Sequence, residues 1–362
     1  MQIYLDYNAS APLLPGARAA VVAGLDLLNA SSIHAYGRAA RLAVTNARGH
    51  VASAMGVRPT QVVFTSGATE AMVTALRGTP TASHIVSAIE HDAVRMTVPG
   101  ANKIPVSADG VIDLAALDAL LKNSAAPAGV AVMFVNNETG VIQPIEGVIK
   151  VSHSHGALVL VDAVQALGRV DLSPLKGADM IALSAHKLGG PKGVGALILR
   201  EGLSIMPLMT GGGQEERRRA GTENVAAIMG FGAAIETIPD NLAGQLQLAA
   251  WRDAMEKKII AAIPHAQIFG AQAPRTANTS MIALPGVAAA TQLMNLDLAG
   301  VAVSSGSACS SGTVKASHVL LAMGAMADVA AAAIRISSGW QTTQQDYENF
   351  TRIYLDMAKR LA

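Results

Sequence analysis

Cysteine is almost missing from this chain: its 362 residues hold one, Cys309. A single thiol cannot build an internal disulfide framework, so a reducing compartment is expected. Aromatic residues are nearly as scarce. Five Phe, five Tyr and two Trp are too few for a surface on which nucleic-acid bases stack. No charge of one sign dominates, since 27 Lys and Arg face 26 Asp and Glu. The electrostatic footprint of a nucleic-acid or anionic-membrane partner is therefore lacking. Long apolar runs are missing too: the stretch from Val225 to Ile238 is broken by glycines and falls short of the roughly 18 residues a spanning helix needs. The opening Met1-Gln2-Ile3-Tyr4-Leu5-Asp6 lacks the basic-then-apolar pattern of a secretory leader. A soluble, cytoplasmic protein is expected.

What the chain has in quantity is small and aliphatic: 51% of it is hydrophobic, ample for a core built on Ala, Val, Leu, Ile and Met. Short apolar runs alternate with helical patterns from residue 61 to about 199. Strands are expected near 61–64, 84–89, 130–135, 158–161, 180–183 and 196–199. Such alternation predicts an α/β fold with a mostly parallel central sheet, its active residues gathered at the strand C-termini. Thr65, Glu90, Asn136 and Asp162 should each end a strand along one rim. Beyond the glycine-rich Gly211-Gly212-Gly213 the pattern changes to long helices and short strands. A large domain over 13–240 and a smaller α+β domain over 241–362, joined by residues 1–12, is the expected division.

The chain is organised around Ser184-Ala185-His186-Lys187, where an apolar strand ends in a Gly/Pro-rich turn. A lysine that loses its proton at a partly desolvated site is an amine nucleophile, the need of a Schiff-base enzyme. A pyridoxal phosphate site also needs a carboxylate for the pyridinium nitrogen, donors for the phosphate and a group over the ring. Asp162 ends the apolar Val159-Leu160-Val161 and could be that carboxylate, or a helix N-cap. Gln165 follows in the same turn, within reach of the ring oxygen. Thr65-Ser66-Gly67-Ala68-Thr69 stands between a strand and a helix, where glycine and free N–H groups bind phosphate, or where ordinary capping occurs. His91 could stack on the ring or shuttle protons, or be a surface histidine; Asn137 is similarly ambiguous. Cys309 sits among small polar residues, Ser304 to Gly312, rather than in an apolar setting, which favours a reactive thiol over a packing role. Arg335, a charge on the alternating strand Ala333-Ile334-Arg335-Ile336-Ser337, would serve as a carboxylate clamp or a structural ion pair.

These residues and their order resemble the cysteine desulfurases, pyridoxal 5'-phosphate enzymes of the class V aminotransferase group with the fold-type I architecture. The similarity runs from Leu5-Asp6-Tyr7-Asn8-Ala9 to Arg335-Ile336-Ser337-Ser338-Gly339. It passes through Thr65-Ser66-Gly67-Ala68-Thr69-Glu70, Glu90-His91-Asp92, Asn136-Asn137-Glu138-Thr139-Gly140, Asp162-Ala163-Val164-Gln165 and Arg219-Ala220-Gly221-Thr222-Glu223-Asn224. Ser305-Gly306-Ser307-Ala308-Cys309 marks the subgroup with a long cysteine loop. The resemblance implies Lys187 as the lysine that carries the cofactor, Asp162 on the pyridine nitrogen and His91 over the ring. Gln165 and Asn137 would lie near the ring oxygen, and Asn137 near the substrate carboxylate. Ala68, Thr69, Ser184 and His186 would hold the phosphate, with Thr222 reaching it from a second subunit of a homodimer. Arg335 would bind the carboxylate of L-cysteine, and Cys309 would accept its sulfur as a persulfide for an acceptor protein such as an iron–sulfur scaffold. No metal site is implied. Departures from the family pattern are Ala71-Met72-Val73 after Glu70, Glu216 where arginine is frequent, and Ala316 where proline is. A transaminase, a selenocysteine lyase and a catalytically silent relative that binds an assembly partner are the rival readings.

Overall fold

The computed structural model describes residues 2–306 and 316–361. Seven strands form the large sheet, in the order Val62–Thr65, Gly195–Leu199, Met180–Ser184, Leu158–Asp162, Ala128–Met133, Ser83–Ser87 and Asn102–Ile104. The last five of these pair in parallel. Gly195–Leu199 runs antiparallel to both of its neighbours. The fold is thus α/β with a mostly parallel sheet.

The strands are apolar on both faces because helices cover both. Val130, Val132, Val159 and Val161 point into the larger hydrophobic cluster, with Val44, Val51 and Phe231. The alternate residues Ala131, Leu160, Ala182 and Leu197 point to the other side, against Ala71, Met72 and Ala75 of the helix Ala68–Gly78. Period-two alternation in a doubly covered sheet reads as an unbroken apolar run, as the sequence does here.

A second sheet of four antiparallel strands has the order Ser304–Ser305, Ala333–Ser337, Thr279–Ala283 and Gln267–Ile268. The N-terminal Ile3–Tyr4 pairs in parallel with Val301–Ala302. Ile3 and Leu5 pack in one cluster with Leu248, Met255, Ile282, Ile336 and Tyr354. The expected boundary at 240 falls in the first turn of the 25-residue helix Ile238–Ala262. Ile89 and Met133 meet Met281, Val319, Leu320 and Met323 in a further cluster that joins the large sheet to the second one. Among the described residues no helix is long and apolar enough to cross a membrane.

Candidate active site

The rim at the strand C-termini forms as expected, with two adjustments. Thr65 and Asp162 end their strands, whereas Glu90 and Asn136 lie three residues beyond Ser87 and Met133. Both sit in turns of their own: Ser87 Oγ donates to Glu90 Oε1, and Asn136 Oδ1 accepts from the Glu138 and Thr139 amides. A cavity of about 520 Å³ opens at this rim.

Its floor begins at the turn Ser66-Gly67 before the helix Ala68–Gly78, which has no side-chain cap. The first-turn residues Ala68 and Thr69 line the cavity, so the positive end of an 11-residue helix meets it. The turn can lie there because position 195 is glycine: a Cβ at Gly195 would stand 2.4 Å from the Leu183 carbonyl oxygen and 2.8 Å from Gly67 Cα. Opposite, Ser184 ends its strand and the 3-10 turn Ala185–Lys187 follows. Ser184, His186 and Lys187 all line the cavity. Lys187 Nζ donates to the carbonyls of Asn8 and Ala9 at 2.7 and 2.8 Å. Burial, and then the charges of Lys187 and Lys192, push His186 down to about 4, so its ring is neutral near pH 7 and Nδ1 lies 3.3 Å from Ser10 Oγ.

Asp162 is buried, and burial raises its carboxyl above the usual range. One oxygen accepts from the Val164 amide at 2.9 Å, which closes a turn and is not the helix N-cap considered from the sequence, since no helix starts there. The side chain also lines the cavity, and the charges of His91 and Lys187 favour its ionised form. His91 Nδ1 accepts from the Ala93 amide at 3.0 Å, which leaves the proton of a neutral ring on Nε2. Gln165 donates to the Asn8 carbonyl at 3.0 Å and accepts from Arg169. Asn137 lines the cavity too, its carbonyl accepting from Asn8 Nδ2 and Arg335 Nη1. Arg335 pairs with Asp6 at 2.7 Å and faces the same cavity. Its Nε is buried with no partner among the described residues. Helix donors without a side-chain cap, a buried carboxyl, a lysine and an arginine in one cavity fit a phosphorylated pyridine aldehyde and an amino-acid carboxylate.

The aminotransferase class-V family matches residues 3–350. A cysteine desulfurase of Cereibacter sphaeroides is 40% identical over 370 residues, covering 97% of this chain and 94% of that protein. This chain belongs to the class-V aminotransferases, among the cysteine desulfurases. The NifS-like protein of Rickettsia africae has the same fold, with a TM-score of 0.92 at 32% identity over 99% of this chain and 100% of that one. The structure of SspA in complex with cysteine matches with a TM-score of 0.79 at 28% identity, over 93% and 99% of the two chains.

One residue singled out in the sequence of this class-V protein does not join the others. Thr222 is exposed, in the segment before the helix Val225–Ile235, and is not among the residues lining the cavity. Cys309 lies outside the described residues. Of the departures, Met72 is buried and forms part of the cavity wall, whereas Glu216 is exposed and pairs with Arg218. The sequence reading missed Arg169, which donates to Asn8, Gln165 and the Lys187 carbonyl. Burial and the nearby Arg335 push it down to about 9. Its spacing of four from Gln165 in a run of turns was the available signal. The partnership of Asp6 with Arg335 spans 329 residues and had none.

Proposed function

We propose that this protein is a pyridoxal 5'-phosphate-dependent cysteine desulfurase, acting as a homodimer. It would convert L-cysteine to L-alanine and load the sulfur on Cys309. The observation that carries this reading is the meeting of Lys187, Asp162, His91 and Arg335 in one cavity, in a chain whose relatives are cysteine desulfurases. The division into 13–240 and 241–362, with residues 1–12 joined to the second unit, is supported by the cluster that gathers Ile3 and Leu5 with Leu248 and beyond.

The cofactor would be held by Lys187 Nζ at its aldehyde carbon and by Asp162 at its ring nitrogen. His91 would cover the ring, with Gln165 and Asn137 at its oxygen. Ala68 and Thr69 at the uncapped helix start, Ser184 and the neutral His186 would bind the phosphate, with Thr222 arriving from the second subunit. When bound, the cofactor supplies an electron sink for a carbanion at the substrate Cα. Arg335 binds the substrate carboxylate and orients its Cα toward Lys187, whose Nζ, once free, takes the Cα proton. The Met72 wall keeps that part of the cavity apolar. The Cys309 thiolate takes the substrate sulfur: the C–S bond breaks, an S–S bond forms, and L-alanine leaves with a proton at Cβ. His91 would accept or donate a proton in that exchange. The persulfide then passes to an acceptor protein, for iron–sulfur cluster assembly or another thiolation.

The test is sulfide and alanine release from L-cysteine by cofactor-loaded protein with reductant, beside Cys309→Ala. Release by the wild type, lost in the variant while its visible cofactor absorbance persists, is the expected result. Equal release by both would sink the role of Cys309 and favour a lyase. Silence in both, without cofactor absorbance, would favour a non-enzymatic relative.

A further inference from the structure

Glu138 has no part in the chemistry above, yet it is a buried carboxyl beside the cavity-lining Asn137. Its turn is rigidly held, because Asn136 Oδ1 accepts from the amides of Glu138 and Thr139 and from Thr139 Oγ1. Burial pushes the carboxyl up to about 7, with the Ser317 hydrogen bond and the charge of Arg335 acting in the opposite direction. Two other pieces of chain converge on it. Ser317 Oγ donates to Glu138 Oε2 at 2.5 Å and accepts from the Leu320 amide, capping the helix His318–Ala322. From the other side, Gly306 packs so closely that a Cβ there would stand 2.5 Å from the same oxygen.

Gly306 and Ser317 are three residues before and eight residues after Cys309. Further ties hold both approaches to the site. Ser304 pairs with Arg335, whose Nη1 donates to the Asn137 carbonyl. His318 Nε2 lies 3.0 Å from the carbonyl oxygen of Glu90, the neighbour of His91.

We propose that Glu138 is a positioning residue for sulfur transfer: its carboxyl accepts from Ser317 and packs against Gly306, and so sets where the described chain on either side of the cysteine-bearing stretch is held. This rests on the reading of Cys309 as the sulfur acceptor. A Cβ at position 306 would press on Glu138, and loss of the Glu138 acceptor would free Ser317; either change displaces an anchor, and small displacements cost large factors in group transfer.

The experiment uses full-length, cofactor-loaded protein as wild type, Glu138→Ala, Glu138→Gln, Ser317→Ala and Ser317→Thr. Two readouts follow the lone cysteine: its alkylation rate by iodoacetamide, read by intact mass, and single-turnover persulfide formation. Visible cofactor absorbance and KM for L-cysteine are read alongside. Glu138→Ala is expected to change the alkylation rate and slow persulfide formation by roughly tenfold or more, with absorbance unchanged and KM within about twofold. Glu138→Gln keeps an oxygen for the Ser317 hydroxyl and should recover most of the rate. If Glu138→Ala does not fold, the Ser317 pair decides: alanine is expected to slow transfer and threonine, which keeps the hydroxyl, to restore it. Wild-type transfer and alkylation in Glu138→Ala, or in Ser317→Ala, overturns the proposal. A Cys309→Ala protein that still desulfurates at the wild-type rate overturns instead the reading beneath it, so the two failures are distinguishable.

Discussion

Glu90 is a carboxyl with no exposed surface, held by Ser87 and the Met133 amide through one oxygen while the other finds no partner among the described residues. Burial, with the charge of Asp162 nearby, pushes it up to about 8 from the ordinary 4.5, so near neutral pH it stays protonated. The consequence for stability has a definite sign. Between pH 4.5 and 8 the unfolded chain has released a proton that the folded chain keeps, so stability falls as pH rises through that window. The contribution is complete below the unfolded value and gone above the folded one, with a slope of about 1.4 kcal/mol per pH unit in between. Glu138 adds the same sign over the narrower window up to about 7. Urea unfolding at pH 5, 6.5 and 8 should therefore show a steeper loss in wild type than in Glu90→Gln, which cannot ionise; parallel lines would refute the assignment. Arg335 makes a second residue-scale prediction. Lysine keeps its charge but not its planar fork, so Arg335→Lys should raise KM for L-cysteine by roughly tenfold while cofactor absorbance stays as in wild type. An unchanged KM would return Arg335 to a purely structural pairing with Asp6.

Elements position these residues, and the junction of the strands Gly195–Leu199 and Met180–Ser184 with the turn Ser66-Gly67 is the tightest instance. A methyl at 195 would meet the Leu183 carbonyl and Gly67 Cα, both backbone atoms that cannot rotate away. Gly195→Ala should therefore part the turn from the sheet, costing about 1–3 kcal/mol of stability and weakening cofactor binding more than a surface substitution would. Thermal unfolding of the apoprotein and a cofactor titration check the two effects separately; an alanine variant with wild-type values in both would deny the close approach. The same element explains what sequence patterning could and could not reveal. Buried strands announce themselves by apolar runs, and Thr65 and Asp162 ended theirs where expected. Glu90 and Asn136 did not, because Ile89 lies in a turn packed against Met281 of the second sheet and Val135 forms an isolated bridge to Ile142 inside the larger cluster, and hydropathy does not separate such buried segments from a strand. Lys187, Asp162 and His91 were legible because each is a polar residue at the end of an apolar run. Arg169 and Asp6 were not: their meaning lies in partners that only the folded chain brings near, Lys187 and Gln165 for one and Arg335 for the other.

At the scale of the whole molecule, Thr222 is exposed on its own chain and outside that chain's cavity, yet family likeness gives it a phosphate to hold. Both statements agree if it serves the cavity of a second copy. In a two-fold dimer the donor and the recipient sites exchange symmetrically, and this makes the idea testable by mixing. Lys187→Ala alone should be inactive, and Thr222→Ala alone should bind cofactor more weakly and lose roughly tenfold in activity. When the two are refolded together, a mixed dimer places the intact Lys187 of one copy with the intact Thr222 of the other in one site, and both defects in the remaining site. With random pairing, roughly a quarter of all sites would then be wild type. Recovery toward that fraction, absent when the two proteins are assayed without exchange, is the expected outcome. If Thr222 acted within its own chain, every site in the mixed dimer would carry one defect, and mixing would restore nothing.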